Sequence, residues 1–139
     1  MQTLTIHTDG GSRGNPGPAA CAAVFLNSSG EIIHSTSLFL GHSTNNEAEY
    51  QAVVLALETL LSDLGSFSNF DHLDFVLDSE LVVKQLTGLY KIKKPELQQF
   101  ALTIHQLVNQ VSKKTTFRHV KRHLNKLPDQ LLNEELDRH

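Results

Sequence analysis

The chain has 139 residues, 40% of them apolar and 19% charged, with a formal charge of −3. That length suits one folded domain over residues 1–139 with a real core, and no apolar run approaches the ~20 residues that cross a bilayer. A single cysteine, Cys21, excludes an internal disulfide, and the start Met1-Gln2-Thr3-Leu4-Thr5 lacks the charged and apolar regions of a signal peptide, so a cytoplasmic location is expected; a monomer is expected as well.

Residues 4–8 read as a strand that climbs to one carboxylate, Asp9, after which the chain breaks into Gly10, Gly11, Gly14 and Gly17 with Asn15 and Pro16 between them. Two readings stand. An Asp-Gly pair closes hairpins, and a carboxylate beside bare backbone suits a metal ion and a phosphate. Residues 19–27 read as a strand buried on both faces, Asn27-Ser28-Ser29-Gly30 as a turn, and residues 31–40 as the returning strand of a hairpin. Ser43-Thr44-Asn45-Asn46-Glu47 is an N-cap signal. It precedes a helix over residues 48–61, whose apolar Ala52, Leu55, Ala56 and Leu60 repeat at helical spacing. Residues 65–70 are loop. Residues 72–77 form a second strand that climbs to a carboxylate, Asp78, followed by a short helix over 79–86 and a basic connection over 88–94. Pro95 opens a long helix to about Val111. Residues 115–120 form the last strand, and residues 127–136 the terminal helix, with Pro128 in its first turn. A hairpin followed by alternating strands and helices predicts an α/β fold, a mixed sheet with parallel inner strands and helices on its faces.

The charges divide along the chain. Ten of the 12 cations lie between Asp78 and Leu127, whereas the first 78 residues hold nine of the 15 acids and one cation, Arg13. Such a split can set an acidic centre beside a basic track for a polyanion; each lysine taken singly reads rather as solvated surface, and the cluster reads equally either way.

In a sheet of this kind the strands before Asp9 and Asp78 can be parallel neighbours whose carboxyl ends meet at the topological switch point, where ligands bind. Two adjacent carboxylates repel unless cations neutralise them, and hard divalent ions such as Mg²⁺ or Mn²⁺ answer that need. Glu49 shares a helix stripe with Ala52, Val53 and Ala56 and points inward, whereas Glu47 reads as a capping acid. Asp129, just after Pro128, can favour the helix dipole or reach the sheet edge. Four inward carboxylates match a site for two metal ions.

The motifs that carry these acids are Thr8-Asp9-Gly10-Gly11-Ser12 with Asn15-Pro16-Gly17, Thr44-Asn45-Asn46-Glu47-Ala48-Glu49, Asp78-Ser79, and His119-Val120 followed by Asp129. In this order they resemble the type 1 ribonucleases H over nearly the whole chain. The resemblance implies the ribonuclease H-like fold, a five-stranded mixed sheet in the order 3-2-1-4-5 flanked by helices. It implies endonucleolytic hydrolysis of the RNA strand of an RNA–DNA hybrid, leaving 5′-phosphate and 3′-hydroxyl ends. It implies two Mg²⁺ ions, replaceable by Mn²⁺, held by Asp9, Glu49, Asp78 and Asp129. The family's mobile histidine falls on His119, which the residues alone would leave as a strand-end surface group. Gly10, Gly11 and Ser12 would meet the RNA backbone, Asn15, Asn45 and Asn46 the minor groove of the hybrid, and Thr44 a DNA phosphate. The 2′-hydroxyl distinguishes RNA from DNA.

Two departures stand out. Many bacterial members have glutamine two residues after the third acid; here Glu80 stands there, able to accept from a 2′-hydroxyl but not to donate. Those members also insert a basic, tryptophan-bearing helix where this chain has only residues 88–94 and no tryptophan. The resemblance is therefore to the short, handle-less archaeal and bacterial branch, with no separate hybrid-binding domain expected before Asp9. A resolvase or exonuclease on the same fold would not need the asparagine pair, a purely binding module would be expected to have lost an acid, and a nucleotide-binding loop would need a Gly-Lys-Ser/Thr signature.

Overall fold

The computed structural model describes residues 2–139; Met1 lies outside the described residues. Five strands form one sheet: β1 (Gln2–Ser12), β2 (Gly17–Leu26), β3 (Ile32–Ser43), β4 (Phe70–Leu77) and β5 (Lys114–His119), in the order β3-β2-β1-β4-β5. The β1–β2 and β2–β3 pairs are antiparallel, and β1–β4 and β4–β5 are parallel. Four helices accompany them: α1 (Asn45–Ser62), α2 (Glu80–Leu86), α3 (Pro95–Val111) and α4 (Lys126–Asp137). Short 3₁₀ turns cover Leu64–Phe67 and Arg122–Leu124.

The small residues of β2 explain its double burial. Ala23 and Phe25 join the main core under α1 and α3, while Ala20 and Ala22 on the opposite face pack against Leu132 and Leu136 of α4. Alternate side chains of a strand point to opposite faces, so alanines in this strand let a helix lie close on each side.

β1 runs longer than the sequence suggests. The glycines after Asp9 read as a break, yet β1 continues to Ser12, pairing Asp9 with Ala22, Gly10 with Cys21 and Gly11 with Ala20. Glycine within a strand marks close backbone approach, and Gly10 meets this condition: a Cβ built there would lie 2.1 Å from the carbonyl carbon and oxygen of Ala48. α1 therefore crosses β1 at contact distance, over a residue that has no side chain. The helix also starts earlier than its apolar period indicates, at Asn45, because Thr44 and Glu47 form a complete capping box.

Candidate active site

The register of the parallel strands places the first two acids. β1 and β4 end their pairing at His7 opposite Val76, so Asp9 and Asp78 each lie two residues further along. Glu49, one turn into α1, reaches the same point because α1 crosses at Gly10. The Gly10 N–H donates to Asp9 Oδ1 at 3.0 Å and to Glu49 Oε1 at 3.3 Å. One carboxylate oxygen from each of Asp9, Glu49 and Asp78 falls within 4.8 Å of the others.

These groups are held out of water. Asp9 is 4% and Glu49 8% exposed. Burial pushes the Asp9 carboxyl from 3.8 up to about 7; the charges of Asp78 and Asp129 add to the rise, while hydrogen bonds from Glu49 and the Gly10 amide oppose it. Glu49 rises well above the usual carboxylate range, first through burial and then through its hydrogen bond with Asp9. Burial and mutual proximity thus push both carboxyls toward the neutral form. Asp78 is raised by burial and by Asp129, and lowered by the Arg122 guanidinium and by His119. Glu49 Oε2 is buried with no hydrogen-bond partner among the described residues. An acidic, all-oxygen cluster with an orphaned oxygen fits a hard divalent cation, which would offset the repulsion between the carboxylates and satisfy the free oxygen.

Asp129, in the first turn of α4, lines the same open cleft of about 360 Å³ but stands outside the tight three-acid cluster. His119 ends β5 on the rim, with Nδ1 3.9 Å from Glu80 Oε2, and neither residue lines the cleft. Glu80 is turned toward Lys84, whose Nζ donates to it at 2.8 Å.

The residues assigned to substrate form a connected rim. Asn45 Oδ1 accepts from the Ser12 N–H at 2.9 Å and the Ser12 hydroxyl at 3.0 Å, and Asn15 Oδ1 accepts from the Asn45 N–H at 3.0 Å. With both carbonyl oxygens fixed inward, both Nδ2 groups remain as donors. Gly11 and Asn46 line the cleft. Thr44 Oγ1 is engaged as the N-cap, accepting from the Glu47 N–H at 3.2 Å and donating to Glu47 Oε1 at 2.9 Å. Thr44 and Asn46 also face a second cleft, shared with Lys94.

Sequence reasoning missed several residues of the site. Arg122, counted only among the cations, lines the cleft and offsets the charge of Asp78. Arg13 crosses to α4, donating to Asp137 Oδ1 at 2.6 Å and to the Asn133 carbonyl at 3.2 Å. Asn125 is fully buried between β1 and α4. Its signal in the sequence was a polar residue just before a helix, which reads as a cap.

The profile of the family described as "Reverse transcriptase-like" matches residues 7–135. A solved structure of RNase H1 from the archaeon Halobacterium salinarum is 37% identical, covers 99% of both chains and superposes with a TM-score of 0.89. The chain belongs to the type 1 ribonuclease H family. The solved structure of LC11-RNase H1 in complex with an RNA/DNA hybrid is also 37% identical, with a TM-score of 0.90 over 97% of each chain. The curated Ribonuclease HI of Halobacterium salinarum is 40% identical over 129 residues, 93% of this chain, and the chain spans 62% of that protein's length. Within the type 1 ribonucleases H this is a short, handle-less form: α2 passes to α3 through residues 87–94 with no helix between them.

Proposed function

We propose that this type 1 ribonuclease H hydrolyses the RNA strand of RNA–DNA hybrids by two-metal-ion chemistry. The observation that carries the reading is the buried cluster of Asp9, Glu49 and Asp78, all within 4.8 Å, with an unpartnered Glu49 oxygen and Asp129 in the same cleft. Asp9, Glu49, Asp78 and Asp129 would hold two Mg²⁺ ions, or Mn²⁺ in their place, and the ions would supply charge for the scissile phosphate and a more acidic attacking water. Water adds to phosphorus, the P–O3′ bond breaks, and the leaving oxygen takes a proton. The products are a 5′-phosphate and a 3′-hydroxyl.

The chain's own groups do the rest. Asn15 and Asn45 offer their free amide donors to the minor groove, where Asn46 joins them. Gly10, Gly11 and Ser12 form the floor over which the RNA backbone lies; with the amides of Gly10 and Ser12 already engaged, their carbonyls are what remains for 2′-hydroxyls. Thr44 holds a DNA phosphate at the mouth of the second cleft. His119, beside Glu80 on the rim, carries protons or helps product leave, and Glu80 accepts from a 2′-hydroxyl once Lys84 swings away.

Labelled RNA–DNA hybrid, double-stranded RNA and double-stranded DNA, each incubated with Mg²⁺, Mn²⁺ or chelator, test this directly. Cleavage confined to the RNA strand of the hybrid and abolished by chelator is the expected result. Cleavage of the DNA duplex, or hybrid cleavage that survives chelation, would overturn it.

A further inference from the structure

Asn125 holds the N-cap position of α4, yet its side chain makes no capping bond. Asparagine is among the best N-cap residues because its oxygen can accept from the first-turn amides. Here the side chain turns away from the helix and both ends are used on β1. Nδ2 donates to the Thr8 carbonyl at 2.9 Å, and Oδ1 accepts from His7 Nδ1 at 2.8 Å. The residue is fully buried. The Thr8 carbonyl it meets lies just past the last β1–β4 pair, His7 with Val76, and just before Asp9.

That tie connects two acids. On one side it holds the residue next to Asp9; on the other it begins the helical turn that carries Asp129. Asp9 and Glu49 are fixed by the Gly10 amide, but Asp129 rides on a helix. Leu132 and Leu136 hold the second half of α4 against β2, and Arg13 ties the same half through Asp137 and Asn133. Asn125 is the polar tie at the end that carries Asp129. A side chain buried with both ends paired is rigid and costly to disturb.

We propose that Asn125 is a positioning residue that sets the distance between Asp129 and the Asp9–Glu49–Asp78 cluster, and so completes the metal site; this rests on reading Asp129 as a metal ligand. Residues that orient ligands from behind typically change metal affinity by about 10- to 100-fold when lost. Mn²⁺ affinity, measured by calorimetry without substrate, reads this apart from turnover. Asn125→Ser should weaken Mn²⁺ binding by about tenfold. Asp129→Asn should weaken it at least as much. Asn125→Ser placed on Asp129→Asn should add less than about a twofold loss, since the distance it sets no longer matters. Losses that multiply in the double variant, or unchanged Mn²⁺ affinity in Asn125→Ser with only a lower melting temperature, would assign Asn125 to stability alone and overturn the proposal. Unchanged affinity in Asp129→Asn would instead remove the ligand reading, and the proposal with it. Where Asn125→Ser does not fold, His7→Gln carries the same cycle, since it removes the ring contact and leaves the Thr8 bond intact. It should weaken Mn²⁺ binding in the wild-type background and not on Asp129→Asn; the same loss in both, or none in either, overturns the proposal.

Discussion

At Gly10 a single hydrogen atom decides the geometry of the cluster. A methyl group there would lie 2.1 Å from the backbone of Ala48 and 2.5 Å from the Glu49 nitrogen, whereas one at Gly11 would meet only Leu132 Cδ1 at 3.6 Å. Backbone cannot yield as a side-chain tip can, so Gly10→Ala must push α1 off β1 and carry Glu49 away from Asp9. We expect ~1–3 kcal/mol of lost stability from the overpacking and about a 100-fold or greater loss of cleavage from the misplaced acid. Gly11→Ala should keep its melting temperature within a few degrees; equal damage from both variants would contradict the packing argument. Asp9 carries the complementary prediction. Its carboxyl is raised to about 7, so between roughly pH 4 and 7 the folded chain keeps a proton that the unfolded chain releases. Folded protein then binds more protons, and metal-free stability falls as pH rises through that window. Asp9→Asn should abolish cleavage while stabilising the metal-free chain in chelator at pH 8 by ~1–3 kcal/mol, seen as a higher melting temperature, with little gain at pH 4. A variant that melts lower at pH 8 would show that the acid cluster is not strained when empty of cations.

The N-terminus of α1 serves the fold and, on our reading, the substrate. Thr44 and Glu47 cap each other, and the Glu47 carboxyl is held below its usual range by bonds from Thr44 and Ser43. Losing either cap partner should cost ~1 kcal/mol, so Thr44→Ala and Glu47→Ala should melt a few degrees low by similar amounts. Only Thr44→Ala should also raise KM for hybrid, because only Thr44 is assigned a phosphate. Matching KM values in the two variants would restrict Thr44 to capping. This element was legible in sequence because a capping box is local: Thr44 and Glu47 are three residues apart. The end of β1 was not, because the partner that keeps residues 9–12 in the sheet is β2, and the reason glycine is needed at residue 10 lies in α1. Asn125 was illegible for the same cause. Its bonds span 117 and 118 residues, and no local pattern separates a buried tie from a cap.

Across the whole molecule the pattern of a hairpin followed by alternating strands and helices predicted a mixed sheet, the resemblance to the type 1 ribonucleases H implied its order, and Asp9, Glu49 and Asp78 meet where that order places them. The charge pattern is coarser, since sequence alone cannot say which cations face a polyanion. Lys113 does not: its Nζ donates to the Phe67 carbonyl at 2.8 Å and to that of Phe70, so it staples the turn before β4 to the start of β5. Lys91, Lys93 and Lys94 are exposed in the connection before α3, and Lys94 borders the cleft that Thr44 and Asn46 share. Each lysine that neutralises a phosphate releases counterions, so the dependence of log affinity on log salt should steepen by roughly 0.7–0.9 per contact. Replacing all three with alanine should therefore raise KM for hybrid, leave kcat near wild type, and flatten the salt slope by about two units. Lys113→Ala should do the reverse, lowering the melting temperature while leaving the slope unchanged. If the triple variant keeps the full slope, the connection is solvated surface, and the hybrid must be gripped by cations on the other side of the cleft, Arg122 foremost among them.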